Sequence, residues 1–434
     1  MRITRSFPVS DVAALKANLL AWGQQFDEAV WLDSNGHNDT YSSFEALLAV
    51  DGLTVLQTDG KNAFEDLREY QGQTEDWIFG YLAYDLKNDV EKLSSDNPDG
   101  LKFPELYFFQ PKKIITIKGS SVEFSYLKMV GDELDADYRS ICNADFPPVG
   151  TSRPNNDLRI KLRMFKDEYF RRAKAVLSHI HRGDIYEANF CQEFFAENTE
   201  IDPWATYRRL NAISRPPFAC YFKIWDKFLL CASPERYLKK VGGKVVSQPI
   251  KGTAKRAVDQ VKDAALKARL AQDVKERAEN IMIVDLVRND LSKSALKGEV
   301  RVEELCKVYS YEQVHQMVST VTAKVAADKN PVDIVKETFP MGSMTGAPKI
   351  SAMEIIENHE NFKRGLYSGA VGYFDPRGDF DFNVVIRSIL YNASEKYVSF
   401  SVGSALTAKA SPEKEYEECL LKAKAMREVL EKTN

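Results

Sequence analysis

Paired cysteines are missing from this chain. Its six cysteines, Cys142, Cys191, Cys220, Cys231, Cys306 and Cys419, are scattered without C-x-x-C spacing, which argues against a disulfide framework and a thiolate metal site and for reduced, mostly buried thiols. A surplus of one charge is missing too: 59 Lys and Arg face 63 Asp and Glu, for a net charge of −4. No global field therefore draws in phosphate backbones or anionic lipid, and nucleic acid is not an expected partner. Nor is there an apolar run near the ~18 residues that span a bilayer, and the start, MRITRSFPVSDVAALKANLL, lacks a signal-peptide h-region. The expectation is a cytoplasmic protein with no membrane contact. What remains is 434 residues with 44% hydrophobic, 11% aromatic and 28% charged content, the balance of an enzyme-sized globular body.

The first third alternates short strand-like runs (AVWLDS, LTVLQT, WIFGYLAYDL, LYFFQP, KKIITIKG) with polar connections, which predicts an antiparallel sheet with few long helices. Residues 142–156, CNADFPPVGTSRPNN, read as a linker. Beyond it, KDEYFRRAKAVLSHIHRG has helical periodicity and a stop at Gly183. Strands are predicted at 217–224, 227–233, 236–241, 244–250, 367–374, 380–391 and 396–403, and helices at 262–291, 331–338, 347–358 and 412–431. Hairpins dominate, so the fold class is α+β rather than a doubly wound parallel sheet.

Lys251 stands in SQPIKGTAKR between Pro249-Ile250 and Gly252-Thr253. The segment SPERYLKKVGGKVVSQPIKGT predicts a hairpin turning at Gly242-Gly243. A two-residue loop sets Glu235 opposite Ile250, whereas a three-residue loop sets it opposite Pro249, diagonal to Lys251 on the same face. Either register leaves acid and amine roughly 5–8 Å apart. Besides a surface ion pair, this allows a nucleophilic lysine with a neighbouring acid, the apolar frame helping to keep the amine neutral.

Two E-x-x-E pairs stand on separate predicted helices: Glu276 with Glu279, and Glu415 with Glu418. Each pair shares a helix face, and four converging carboxylates would suit Mg²⁺, although such pairs also occur on plain solvated helices. In FPMGSMTGAPKISAMEII a Gly-rich bend enters a helix, with Ser343 and Thr345 as cap candidates and Pro348 near the first turn. Backbone N–H groups there can hold an anion, but this is no Walker A loop, because Ala347-Pro348 follows Gly346. Arg387 lies among Val384, Val385, Ile386 and Ile389 and needs a partner, either an internal acid or a substrate carboxylate.

Taken in order, GDIYEANF, SPERYL, PIKGTAKR, AENIMIVDLVRNDLS, VHQMVSTV, GSMTGAPK, YSGAVGY, VVIRS and PEKEYEECLLKA resemble the chorismate-utilising enzymes. That family includes anthranilate synthase component I, aminodeoxychorismate synthase component I, and the isochorismate and salicylate synthases. The resemblance is strong over 160–432 and looser before it, chiefly in WIFGYLAYDL. It implies large antiparallel sheets packed as a sandwich with helices outside, an N-terminal region over 1–145 and a chorismate-binding catalytic domain over 157–434.

The resemblance also implies roles. PIKGT, where anthranilate synthases show PIAGT, is the aminodeoxychorismate form, with Lys251 as nucleophile and Glu235 as general acid. Glu276, Glu279, Glu415 and Glu418 match Mg²⁺ positions; Tyr367, Arg387, Lys422 and the backbone around Gly403 match the substrate clamp. Ser343, Thr345 and Gly346 match the pocket loop, and His315 a histidine near the ring. Three positions depart from the family: Glu187, where aminating members carry Gln and hydroxylating members Lys, and Ala405 and Lys409, where Gly and Asp are usual. No cysteine sits in a G-x-C-x-G setting, so ammonia is expected from a separate glutamine amidotransferase subunit, component II, and a pyridoxal enzyme would complete 4-aminobenzoate for folate synthesis. Anthranilate synthase component I is the alternative within the family. A non-catalytic chorismate or tryptophan sensor is the alternative outside enzymes, suggested by WLDS, where family members form an amino-acid pocket.

Overall fold

The computed structural model describes residues 1–37, 40–143, 158–312 and 314–431. Its organising strand is Leu106–Lys118, rich in aromatic and β-branched residues and buried on both faces over most of its length. One edge pairs with Ala46–Thr58, and the other with Ile78–Leu82 and Ser121–Leu127.

Two wings grow from this spine, all by antiparallel pairing. The first runs from Ala46–Thr58 through Glu28–Asp33, Phe218–Ile224, Lys227–Ser233, Ser388–Asn392 and Tyr397–Thr407 to Glu187–Ala196. The second runs from Ile78–Leu82 through Ala370–Phe374, Phe380–Val384, Arg236–Val241 and Lys244–Gln248 to Val314–Val325. Val314–Val325 also pairs with Ile250–Lys255 and Ala295–Ser310. One apolar core unites side chains of both wings, among them Val30, Leu47, Phe108, Leu238 and Phe382. A second lies between the first wing and its helices, around Leu19, Tyr169, Phe194, Leu210 and Met426. The α+β fold expected from sequence is thus present, with strands of the first 145 residues paired to strands of the later part through Glu28–Asp33 and Ile78–Leu82. None of the described helices is long and apolar enough to cross a membrane.

Several predicted elements differ. The helix read over 262–291 is two, Gln260–Gln272 and Val274–Ser292, because Asp273 leaves the helical conformation and its side chain caps the second at Glu276. The strand read over 380–391 breaks between Val384 and Ser388, where Arg387 adopts φ +52. Strands Glu187–Ala196, Ala295–Ser310 and Val314–Val325 were not predicted. The linker read over 142–156 lies outside the described residues from 144 onward.

Candidate functional site

The Gly242-Gly243 turn is a two-residue loop, with Val241 opposite Lys244. A bulge then sets Tyr237 and Leu238 against Ser247, so that Arg236 pairs with Gln248 and Glu235 falls opposite Pro249. The short turn and the extra residue together give the register that places Glu235 on the face of Lys251. Gly252, at φ +88, lets the lysine strand press on the helix behind it; a Cβ there would lie 3.1 Å from Glu276 Oε2.

Lys251 Nζ donates to Glu187 Oε1 at 3.0 Å. Both side chains are shielded, at 13% and 1% exposure. Burial would lower the lysine, but Glu187, Glu279 and Glu235 outweigh it and hold the ammonium well above the ordinary lysine range. The neutral amine expected from the apolar frame is therefore not the resting state: the flanking residues in sequence are apolar, but the neighbours in space are acids. Glu235, 5% exposed, shows the opposite. Burial raises its carboxyl to about 7 against the lowering effects of the Ser343 hydroxyl, Lys251, the Ile250 N–H and Lys422.

The two glutamate pairs flank this group. Burial raises Glu279 to about 7. Burial also raises Glu276 and Glu415, with repulsion from Glu418 adding to both. Glu418 goes down, because Lys422, 2.6 Å away, offsets its burial. Lys275 stands between the helices, 3.3 Å from Glu415 and 3.6 Å from Glu279. Among the described residues no three acidic, histidine or cysteine groups are gathered closely enough to hold a metal ion as they stand. The donor chemistry nevertheless fits a hard divalent cation that keeps its own waters: Glu279 Oε1 is buried without a hydrogen bond, and the half-exposed Lys275 ammonium occupies the place of positive charge.

Arg387, in its left-handed break, carries its guanidinium toward Tyr367 and Glu418. It has no ion pair within 4 Å among the described residues, and burial lowers its pKa. Of the two partners considered from sequence, no internal acid is paired with it. The Tyr367 hydroxyl lies 3.8 Å from Cys191 Sγ, and Lys422 Nζ donates to the Gly403 carbonyl at 2.8 Å. Gly403 is required by its neighbour strand, since a Cβ would meet Cys191 Sγ at 2.5 Å.

Ser343 and Thr345 are not helix caps. Pro348 occupies that position for Lys349–His359, with no capping side chain, and the Thr345 hydroxyl instead donates to the Met341 and Gly342 carbonyls. The loop buttresses Glu187: Gly346 and Ala347 pair with Ala188 and Glu187, and a Cβ on Gly346 would lie 2.2 Å from the Glu187 carbonyl oxygen. His315 is 1% exposed, with Nδ1 on Ser310 Oγ at 2.9 Å and Nε2 on Asp263 Oδ1 at 3.1 Å. Both ring nitrogens are thereby used inside the protein, as in a buried structural histidine rather than one free to face a substrate ring. Ala405 is buried in its strand and Lys409 exposed in the turn after it.

Two participants were not among the site residues read from sequence. Glu187 was seen only as a departure from a pattern; a carboxylate in the wholly buried strand EANFCQEFFA was the available signal. Lys275, at i−4 from Glu279, was a helix-surface pair in plain view. On the far side of the hairpin, Arg236, Gln248 and Ile250 line a separate cavity of about 860 Å³ with Asp33, Ser34 and Phe218.

A family described as chorismate binding enzyme matches residues 27–428. The chain is 41% identical over 286 residues to an aminodeoxychorismate synthase of Streptomyces griseus, covering 65% of this chain and 38% of that one. It is 34% identical over 360 residues to an anthranilate synthase component 1 of Thermus thermophilus, covering 82% and 77%. In fold it resembles the crystal structure of anthranilate synthase component I from Streptococcus pneumoniae, with TM-score 0.77, 23% identity and coverage of 90% and 94%.

Proposed function

The chain belongs to the chorismate-binding enzymes, and on that footing we propose that it aminates chorismate to 4-amino-4-deoxychorismate, the synthase half of a pair whose glutaminase subunit delivers ammonia. The observation that carries the reading is Lys251, largely shielded at 13% exposure, with the buried acid Glu235 acting on its charge; the aminodeoxychorismate synthase relative at 41% identity supports it.

Lys251 is charged at rest, so it sheds a proton before its nitrogen attacks ring carbon 2. Glu235, held protonated near neutrality, donates to the departing 4-hydroxyl, which leaves as water. Ammonia then bonds to carbon 4 and the lysine departs from carbon 2. Arg387, without an internal acid, offers the bidentate contact for a substrate carboxylate, while Tyr367 and the Gly403 backbone, fixed by Lys422, shape the wall. Glu276, Glu279, Glu415 and Glu418 would hold Mg²⁺, which supplies positive charge for the ring carboxylate.

The test is incubation of the purified chain with chorismate, ammonium and magnesium. Wild type is expected to gain the mass of dehydrated chorismate in intact-mass spectra without ammonium, and to form 4-amino-4-deoxychorismate with it; Lys251→Ala should lose both. Full activity in Lys251→Ala with no adduct in wild type would sink the mechanism. Fluorescent anthranilate as product would instead establish the second reading, anthranilate synthase component I, favoured by the broader mutual coverage of the Thermus relative.

A further inference from the structure

Glu187 is in contact with the nucleophile, yet the reaction above gives it nothing to do. Its carboxylate is 1% exposed. Oε1 accepts from Lys251, whereas Oε2 is buried and has no hydrogen-bond partner among the described residues. A carboxylate oxygen shut from water without a donor is costly, of order 1–3 kcal/mol or more. The backbone makes no room for it to turn away, because its own carbonyl is wedged against Gly346 and its peptide is paired with Ala347. The Lys251 ammonium is also shared, since Glu279 and Glu235 act on it as well. Oε2 thus suits a small cationic donor.

We propose that Glu187 Oε2 binds the incoming nitrogen as ammonium and accepts its proton, which makes Glu187 a catalytic residue of the amination. This rests on the reading under Proposed function. On the lysyl adduct, one ammonium proton passes to Oε2 as the freed lone pair forms the bond to carbon 4. The bond from carbon 2 to Nζ breaks with its electrons returning to Lys251, and the proton on Glu187 crosses to Nζ, restoring the resting ion pair. The amine leaves as the carbon-4 ammonium. The proton shed by Lys251 before attack balances the one that Glu235 regains, so chorismate plus ammonium gives aminated product plus water. A carboxylate here selects the cation that dominates at neutral pH over the scarce free base.

The experiment measures the KM for total ammonium, supplied as ammonium chloride with chorismate and magnesium, from about pH 6.5 to about 8.5. In wild type the KM is expected to stay flat, since ammonium is nearly constant there. In Glu187→Gln it should start more than tenfold higher and fall by up to about tenfold per pH unit, tracking free ammonia; Glu187→Asp, which keeps the charge, should lie between. A wild-type KM that itself falls about tenfold per unit, or profiles that coincide in wild type and Glu187→Gln, overturns the ammonium site. Because the readout is the slope of KM, a general loss of kcat in the variants leaves it legible, and the wild-type slope stands without any variant. If wild type yields no aminated product, the amination reading fails and takes this site with it; product with the wrong slope overturns this site alone.

Discussion

Glu235 and Lys251 show how far a neighbourhood moves a single group. In the proposed reaction Glu235 serves as an acid only while protonated, and burial has raised it from the ordinary 4.5 to about 7. The alkaline limb of kcat/KM is therefore expected near pH 7, with activity falling as pH rises through it. Glu235→Gln should erase that limb and cost roughly 10²–10⁴-fold in kcat/KM, as a pH-rate profile of both proteins will show. Stability carries the same sign: the native state keeps a proton on Glu235 that the unfolded chain has released, so between about 4.5 and 7 this group lowers stability as pH rises. The sequence revealed both residues and the hairpin joining them. It did not reveal the charge state of Lys251, because Glu187 is 64 residues away and nothing local to PIKGT announces an acid.

Secondary elements were legible where one face is apolar and obscure where the pattern is mixed. Pro331–Thr338 and Pro412–Glu431 begin at prolines and follow clear periodicity. Ala295–Ser310 was invisible because it is charged and largely exposed along its length, its partners coming from Val314–Val325 rather than from burial. Glu187–Ala196 was invisible for the opposite reason: it is buried on both faces yet carries Glu187, Asn189, Gln192 and Glu193. Its start is held by Gly346, and Gly346→Ala would drive a Cβ into backbone that cannot swing aside. The expected cost is about 1–3 kcal/mol, read as a lowered denaturation midpoint, together with a loss of adduct formation as Glu187 is pushed off Lys251.

The whole molecule depends on pairings that the chain makes across its length. Glu28–Asp33 and Ile78–Leu82 cover the edges of Phe218–Ile224 and Ala370–Phe374. A fragment of residues 158–434 would bare both edges, and uncovered edges template aggregation. It is expected to elute as aggregate and to be inactive, while the full chain unfolds in one calorimetric transition; a soluble, monomeric, active fragment would contradict this. The α+β class was visible in sequence through its hairpins and the sandwich through the family resemblance, but the joining of LYFFQP and KKIITIK into one spine, Leu106–Lys118, paired with strands from either side of it in the chain, was not. Glu187 belongs to the first wing, and Lys251 is paired into the second. Their ion pair is thus a latch across the two covers of a book whose spine is Leu106–Lys118. It is fastened by a charge that the proposed chemistry must remove, so the proton whose loss would ready the nucleophile is also the one whose departure slackens the clasp.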